Sequence, residues 1–392
     1  MQCLDKQLDS LYFTRDYIFP VDNSVLLCKR DEVLLQLTNL ESNNQLPKAL
    51  LWFYRGRTLA GSKSDLELAE AYISKAIKLD SSLVHAYFYL ADIHTLRQQW
   101  NSAQQLLETS VCKYPTPQAL RLLSRVIRQK TPPSIDRSVS LAKEALDLEV
   151  NSSEGWLVYA LALTTKFFHS TLPTPQSLEK CLSAFNMACK LGQLYNPDLF
   201  FNRGQVFKYL ERYQEALDDF SKALQLDSTL LISSTEISSI VQFLKSISST
   251  LNRFESNLKK KKRDKLLAGF RQEETLYSTH NIPPFGKPLA LKVFALLSST
   301  DKIPSSVFCY DSELSWIVLS VYNVKIESFK VGQTLMLYNA RVVDDEIHWE
   351  DELFKFRVIR IVNISDLNII GTNIGSHHLS APICTVNSVE KL

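Results

Sequence analysis

Residues that could do covalent chemistry are scarce in this 392-residue chain. It has no Gly-x-Gly-x-x-Gly turn, no phosphate-cradling Gly-x-x-x-x-Gly-Lys loop and no Gly-x-Ser-x-Gly elbow. His377 and His378 are adjacent. On a strand, neighbouring side chains point to opposite faces, and no further Cys or His lies close enough to complete a metal site. His85 and His94 share a helical stretch at a spacing that does not bring them together. The seven cysteines (Cys3, Cys28, Cys112, Cys181, Cys189, Cys309 and Cys384) are odd in number and never spaced Cys-x-x-Cys. That usage fits a reducing compartment, cytosolic or nuclear, better than a disulfide framework. No catalytic residue, metal or cofactor is expected. Two charged segments remain as binding candidates: the run Lys259-Lys260-Lys261-Lys262-Arg263 and the acidic stretch Asp344-Asp345-Glu346…Glu350-Asp351-Glu352.

Something must position these groups, and the sequence shows it as a period. Small residues on amphipathic stretches recur at Ala76, Ser110, Ala145, Ala188 and Ala223, with gaps of 34, 35, 43 and 35 residues. Upstream of each lies a second landmark: Trp52, Tyr87, Ala119, Trp156 and Phe200. A period of ~34 residues with paired helices is that of the tetratricopeptide repeat, and the long gap implies an insertion. Small residues such as Gly204 and Ala91 let two helices approach, and Phe207 and Phe220 fill the space between hairpins. No hairpin buries its apolar face alone, so the hairpins must stack into a superhelix. Apolar residues at 45% allow such cores, and a net charge of +2 argues against wholesale binding to nucleic acid. The start lacks the basic and apolar regions of a secretory leader, and charges interrupt every apolar stretch before the ~18 residues of a membrane span.

The first helices of such an array line its concave face. Their polar positions here include Arg57, Asp92, Arg121, Ser124, Arg128, Asn202, Gln205 and Lys208, with Asp198 at the entry to the last repeat. Carboxylate-clamp grooves of the fold collect Lys and Asn, but Phe53 stands at the first such Lys position. Mixed signs suit a peptide carrying adjacent cationic and anionic residues, bound by charge-assisted hydrogen bonds. The same spacing also fits a solvated helix face or a salt bridge inside the repeats.

Past Pro283-Pro284-Phe285-Gly286 the period becomes two, with strands expected over 289–297, 307–310, 316–322, 334–343 and 354–362. Five strands in about 100 residues suit a small barrel. The stretch Phe329-Lys330-Val331-Gly332…Asn339-Ala340 favours an OB-fold over an SH3-like barrel or a sandwich. The fold class is thus α + β, a tetratricopeptide-repeat α-superhelix followed by an OB-fold β-barrel. The expected division is an N-terminal helical cap (1–45), five repeats (46–228), a cap helix with the basic run (229–265), a linker (266–286) and the barrel (287–392). Tyr310, Trp316, Tyr322, Tyr338, Trp349 and Phe356 could stack bases on the barrel, but aromatics at period two also build cores, and the acidic stretch opposes nucleic acid. The basic run is open to three readings: a solvated linker, a nuclear localisation signal or a contact for RNA phosphates.

The order of parts, with Leu11-Tyr12-Phe13-Thr14-Arg15-Asp16-Tyr17, Ser74-Lys75-Ala76-Ile77-Lys78-Leu79, Leu123-Ser124-Arg125-Val126-Ile127-Arg128-Gln129, Asn196-Pro197-Asp198-Leu199, Asn202-Arg203 and Val321-Tyr322-Asn323, forms a distinctive set. Together they resemble the tetratricopeptide repeat protein 5 (Strap) family. The resemblance implies a non-enzymatic adaptor that binds the Met-Arg-Glu-(Ile/Cys) start of nascent tubulin at the ribosome. Through mRNA-decay recruitment factors, such an adaptor promotes decay of tubulin mRNA. By this resemblance Arg128 meets the peptide's glutamate and Asp198 its polar groups; Asp92, Arg121, Asn202 and Gln205 are expected along the same groove from their places on the first helices. Lys259, Lys261 and Arg263 would contact ribosomal RNA. The acidic residue that the family pattern places after the fifth repeat is absent near Leu231 and Ile232, with Glu236 a distant substitute. The resemblance also implies a nuclear role, as a stress-response scaffold working with transcription coactivators, so both cytoplasm and nucleus are expected locations. A single-stranded nucleic-acid binder acting through the barrel is the third reading.

Overall fold

Close approach of paired helices sets the architecture of the first two-thirds of the chain. The computed structural model describes residues 2–17, 22–63, 65–170, 173–192, 194–258, 260–271, 276–297, 304–372 and 374–380. Two helices, α1 (Gln2–Tyr17) and α2 (Asn23–Ser42), precede five hairpins. The hairpins are α3 (Lys48–Ser62) with α4 (Leu66–Leu79), α5 (Val84–Leu96) with α6 (Trp100–Lys113), and α7 (Pro117–Gln129) with α8 (Ile135–Leu148). They continue with α9 (Ser153–Phe168) and α10 (Leu178–Lys190), then α11 (Pro197–Tyr209) and α12 (Tyr213–Leu226). Each anchor of the period falls on the second helix of its pair. Ala76, Ser110, Ala145, Ala188 and Ala223 are all at most 2% exposed. The long third gap holds a 3-10 turn, Pro175–Ser177, between α9 and α10.

Helix α13 (Leu231–Asn257) closes the array but ends before the basic run, which the expected cap over 229–265 included; Lys260 to Arg263 lie on a separate helix, α14 (Lys260–Leu267). Seven strands lie among the described residues: β1 (Leu289–Leu296), β2 (Ser305–Tyr310), β3 (Trp316–Val321), β4 (Thr334–Leu337), β5 (Val342–Trp349), β6 (Glu352–Ile361) and β7 (Leu367–Ile369), in the sheet order β5-β6-β3-β2-β1-β4-β7. The expected strand over 334–343 is corrected. The chain turns at Asn339, whose φ is +53°, so β4 ends before it and a new strand starts after it. The acidic residues Asp344–Glu346 therefore lie in β5, not in a loop.

β4 and β5 lie five places apart in the sheet order. In a flat sheet that is roughly 24 Å at about 4.8 Å per strand. The five Cα steps from Leu337 to Val342 span less than that (about 17 Å at ~3.4 Å each), so the sheet must curl. The other mark of this barrel is β3 and β6 running parallel, with Val318 opposite Val358 and Val321 opposite Ile361.

Alternate residues of the same strands serve two cores. Val307 and Cys309, Ile317 and Leu319, and Ile359 and Ile361 point into the barrel. Phe308, Tyr310, Val318, Tyr322, Phe354 and Phe356 face outward and join the core of α9 to α13. Phe254 of α13 packs at 5.0, 5.7 and 5.6 Å (ring centroids) from Phe294, Phe308 and Tyr310. Polar contacts seal the junction. The Tyr322 hydroxyl donates to the Tyr209 carbonyl at 3.2 Å, and the Asn323 amide donates to the Pro173 carbonyl at 3.2 Å. Arg360 bridges Glu211 (2.7 Å) of the last repeat and Asp345 (2.5 Å) of β5.

Candidate peptide-binding groove

Helix α7 begins with Thr116, whose hydroxyl accepts from the Ala119 amide at 3.2 Å, followed by Pro117 in the first turn. Both features fix the helix start. Arg121, Ser124 and Arg128 follow at spacings of three and four, on one side of the helix. Ser124 and Ser138 exchange hydrogen bonds with each other's carbonyls at 2.8 and 2.9 Å, stitching α7 to α8. The expectation of a groove position at Ser124 is thereby corrected, because the hydroxyl is 0% exposed and spent on the hairpin contact. Arg128 is buried, and its Nη1 donates to the same Ser138 hydroxyl at 3.2 Å.

Arg121 does not face an open groove either. It lies between Glu149 (3.0 Å) and Glu154 (2.9 Å) at the corner joining α8 to α9. This is the salt bridge inside the array of repeats that its spacing also allowed.

Helix α11 starts at Asn196, whose side chain accepts from the Asp198 amide at 2.9 Å. Asp198 is half-buried, and its carbonyl accepts from the Asn202 amide at 2.8 Å. Asn202 is 1% exposed, and its Oδ1 has no hydrogen-bond partner. Gln205 is buried one turn on. Lys208 meets Glu236 of α13 at 2.5 Å, both side chains being little exposed. The sequence pattern makes Glu236 a distant substitute for the missing acidic residue, but α13 brings it beside α11.

Asp92 is the clearest correction. Its carboxylate pairs with Arg15 of α1 at 3.1 Å, and both side chains are 8% exposed. Arg57 is likewise held by Asp5 (3.1 Å) and Asp9 (2.9 Å) of α1. Burial works against the Arg15 charge, but Asp92 and Asp16 outweigh it and hold the guanidinium's pKa above its usual value. Burial also pushes the Tyr12 and Tyr89 hydroxyls up. Nothing periodic links α1 to α5, so sequence reading missed Asp5, Asp9 and Arg15. The one local signal was the pair of aspartates a helical turn apart.

Lys259 lies outside the described residues, as does the side chain of Lys261; Arg263 is exposed on α14. Tyr310, Tyr322 and Phe356 are buried, Trp316 stacks on Phe308 at 5.6 Å and 10°, and Trp349 packs against the same core. Five of the six candidate base-stacking rings are thus committed to the junction, and Tyr338 is half-buried. His377 and His378 stand in a 3-10 turn, not a strand, so strand alternation does not apply and their rings lie 3.8 Å apart.

Residues 275–383 match the family described as Tetratricopeptide repeat protein 5 OB fold domain, and residues 197–230 match the tetratricopeptide repeat. The chain is 24% identical to tetratricopeptide repeat protein 5 of Homo sapiens, covering 99% of this chain and 96% of that protein. It is 25% identical to the Mus musculus protein, covering 92% and 90%. Among solved structures, YrrB, a repeat protein described as having an unusual peptide-binding site, is 20% identical with a TM-score of 0.37, covering 51% of this chain and 95% of that one. With repeats and barrel in one order over nearly the full length of these relatives, the chain is a protein-binding adaptor similar throughout to tetratricopeptide repeat protein 5, and its barrel matches that family's OB fold domain.

Proposed function

We propose that this adaptor takes the N-terminal peptide of nascent tubulin at the ribosome and promotes decay of tubulin mRNA through recruited factors. The observation that carries the reading is the placing of opposite charges on the inner helices of the last three repeats. Arg128 lies on α7, while Asp198 and the Lys208–Glu236 pair lie on α11 and α13. A Met-Arg-Glu-Ile start presents a cation and an anion on consecutive residues. Its glutamate suits Arg128, and its arginine suits Asp198 and Glu236, each through a charge-assisted hydrogen bond. Glu236 supplies the acidic group that the sequence lacks near Leu231 and Ile232. Arg263 on α14, with Lys259 and Lys261, gives a cationic stretch for ribosomal RNA phosphates, and the reading places this work in the cytoplasm.

Calorimetry with a Met-Arg-Glu-Ile peptide tests the groove. Arg128→Ala should weaken binding about thirtyfold, the equivalent of ~2 kcal/mol for one charged hydrogen-bonded partner. Unchanged affinity in a variant with wild-type circular dichroism would refute the assignment. Reversing Lys259, Lys261 and Arg263 to Glu should separately abolish co-sedimentation with ribosomes.

A further inference from the structure

Helix α1 meets the array differently from the other helices. Its Leu4, Leu8 and Leu11 are at most 3% exposed and join the first repeats' core. The adjacent stripe, Asp5, Asp9, Tyr12 and Arg15, is spent on the inward residues of α3 and α5. Asp5 and Asp9, one helical turn apart, flank the Arg57 guanidinium. That guanidinium also lies 4.8 Å from the Tyr89 ring centre and 5.7 Å from that of Tyr12. Arg15 crosses to Asp92 on α5. Gly61 makes room for the visitor, since a Cβ there would lie 2.8 Å from the Tyr12 ring and 2.9 Å from Leu11. Paired charges of both signs, a ring over a guanidinium and an apolar stripe are the features by which a groove recognises an amphipathic helix. Here the chain supplies that helix itself.

We propose that the concave face of the first two repeats is a helix-binding surface in its own right, with α1 as its resident ligand. The partner class it fits is an amphipathic helix with a leucine stripe beside the pattern Asp-x-x-x-Asp-x-x-Tyr-x-x-Arg. Such a partner replaces α1 group for group, leaving neither Arg57 nor Asp92 as an uncompensated buried charge. Arg57 and Asp92 stand on α3 and α5, whereas Arg128 stands on α7 and Glu236 on α13, so the proposal does not rest on the peptide reading above.

The test uses the full-length chain. In Asp5→Lys/Asp9→Lys, two cations face Arg57, and hydrogen exchange over residues 2–17 should quicken at least tenfold while α5 to α12 keep their protection. A labelled peptide with the natural sequence of residues 2–17 should then bind this variant at least tenfold more tightly than the wild-type chain, whose own α1 competes. Adding Asp92→Lys should weaken that binding. In a separate chain, Arg57→Glu should also quicken exchange in α1, and combining it with Asp5→Lys/Asp9→Lys should restore slow exchange. Unchanged exchange in α1, equal peptide binding by wild type and variant, or no binding by either would overturn the proposal. So would collapse of protection throughout α3 to α6, which would make α1 a fixed part of the core and not a ligand.

Discussion

At residue 56 the lack of a side chain decides how closely α3 and α4 approach. A Cβ there would sit 2.9 Å from the Ala69 carbonyl oxygen and 3.1 Å from the Ile73 amide nitrogen, both backbone atoms of α4. Alanine improves helix propensity by about 1 kcal/mol, whereas overpacking a tight contact costs about 1–3 kcal/mol. Because the obstacle is backbone, it cannot swing aside. Gly56→Ala should therefore destabilise the chain by about 1–2 kcal/mol, read as a lower urea midpoint at unchanged slope; a midpoint at or above wild type would contradict the packing argument. At Gly204 the nearest atoms belong to the Phe220 ring, which can tilt, and the loss there should be smaller. This use of small residues was legible in the sequence, because Gly204 and Ala91 recur in step with the helical hairpin. The fate of the charged residues was not. Arg121, which meets Glu149 and Glu154, and Arg128, which donates to the Ser138 hydroxyl, share one helical stripe. Spacing alone gives an arginine held by two carboxylates and one held by a serine hydroxyl the same signature.

Element by element, the repeat helices announce themselves through their starts. Asn196 before Pro197 is such a start, and α11 carries Asp198, Asn202, Gln205 and Lys208. Removing the cap frees the Asp198 amide and loosens the first turn, where the Asp198 carboxylate must be held. Asn196→Ala should cost about 1 kcal/mol of stability, typical for a lost cap. It should also weaken Met-Arg-Glu-Ile binding, though less than Arg128→Ala does; calorimetry on the two variants ranks them, and an equal or greater loss for Asn196→Ala would separate the site from Arg128. Strands were less legible than helices. The run from Thr334 to Val343 alternates as one strand would, yet Asn339 takes a left-handed backbone and splits it. Asparagine tolerates that conformation, but local sequence does not say when it is used. The seventh strand is three residues long, too short for alternation to reveal.

For the molecule as a whole, alternation in the barrel strands shows two covered faces but not what covers the outer one. Aromatics at period two could meet stacked bases or a neighbouring helix, and here they meet α13 and the last repeats. Covering that face joins barrel and repeats through a junction whose polar centre is Glu211, Arg360 and Asp345. Burial raises the Glu211 carboxyl above the ordinary glutamate range, with Arg360 pulling the other way without cancelling it. A carboxyl whose pKa is higher folded than unfolded takes up its proton more readily in the folded state. Its contribution to stability is fully present below the unfolded pKa and is lost as pH rises through the folded one. Each unit of upward shift corresponds to about 1.4 kcal/mol. Glu211→Gln keeps a polar side chain of similar size and removes that titration. Stability of wild type minus variant, from urea midpoints, should therefore grow as pH falls from neutrality towards the ordinary glutamate range. A difference that is flat, or that grows as pH rises, would mean that the ionised pair with Arg360 outweighs the burial of the carboxylate. Because Glu211 belongs to the last hairpin and Arg360 to β6, repeat and barrel signals should shift together across that pH series, as one cooperative unit.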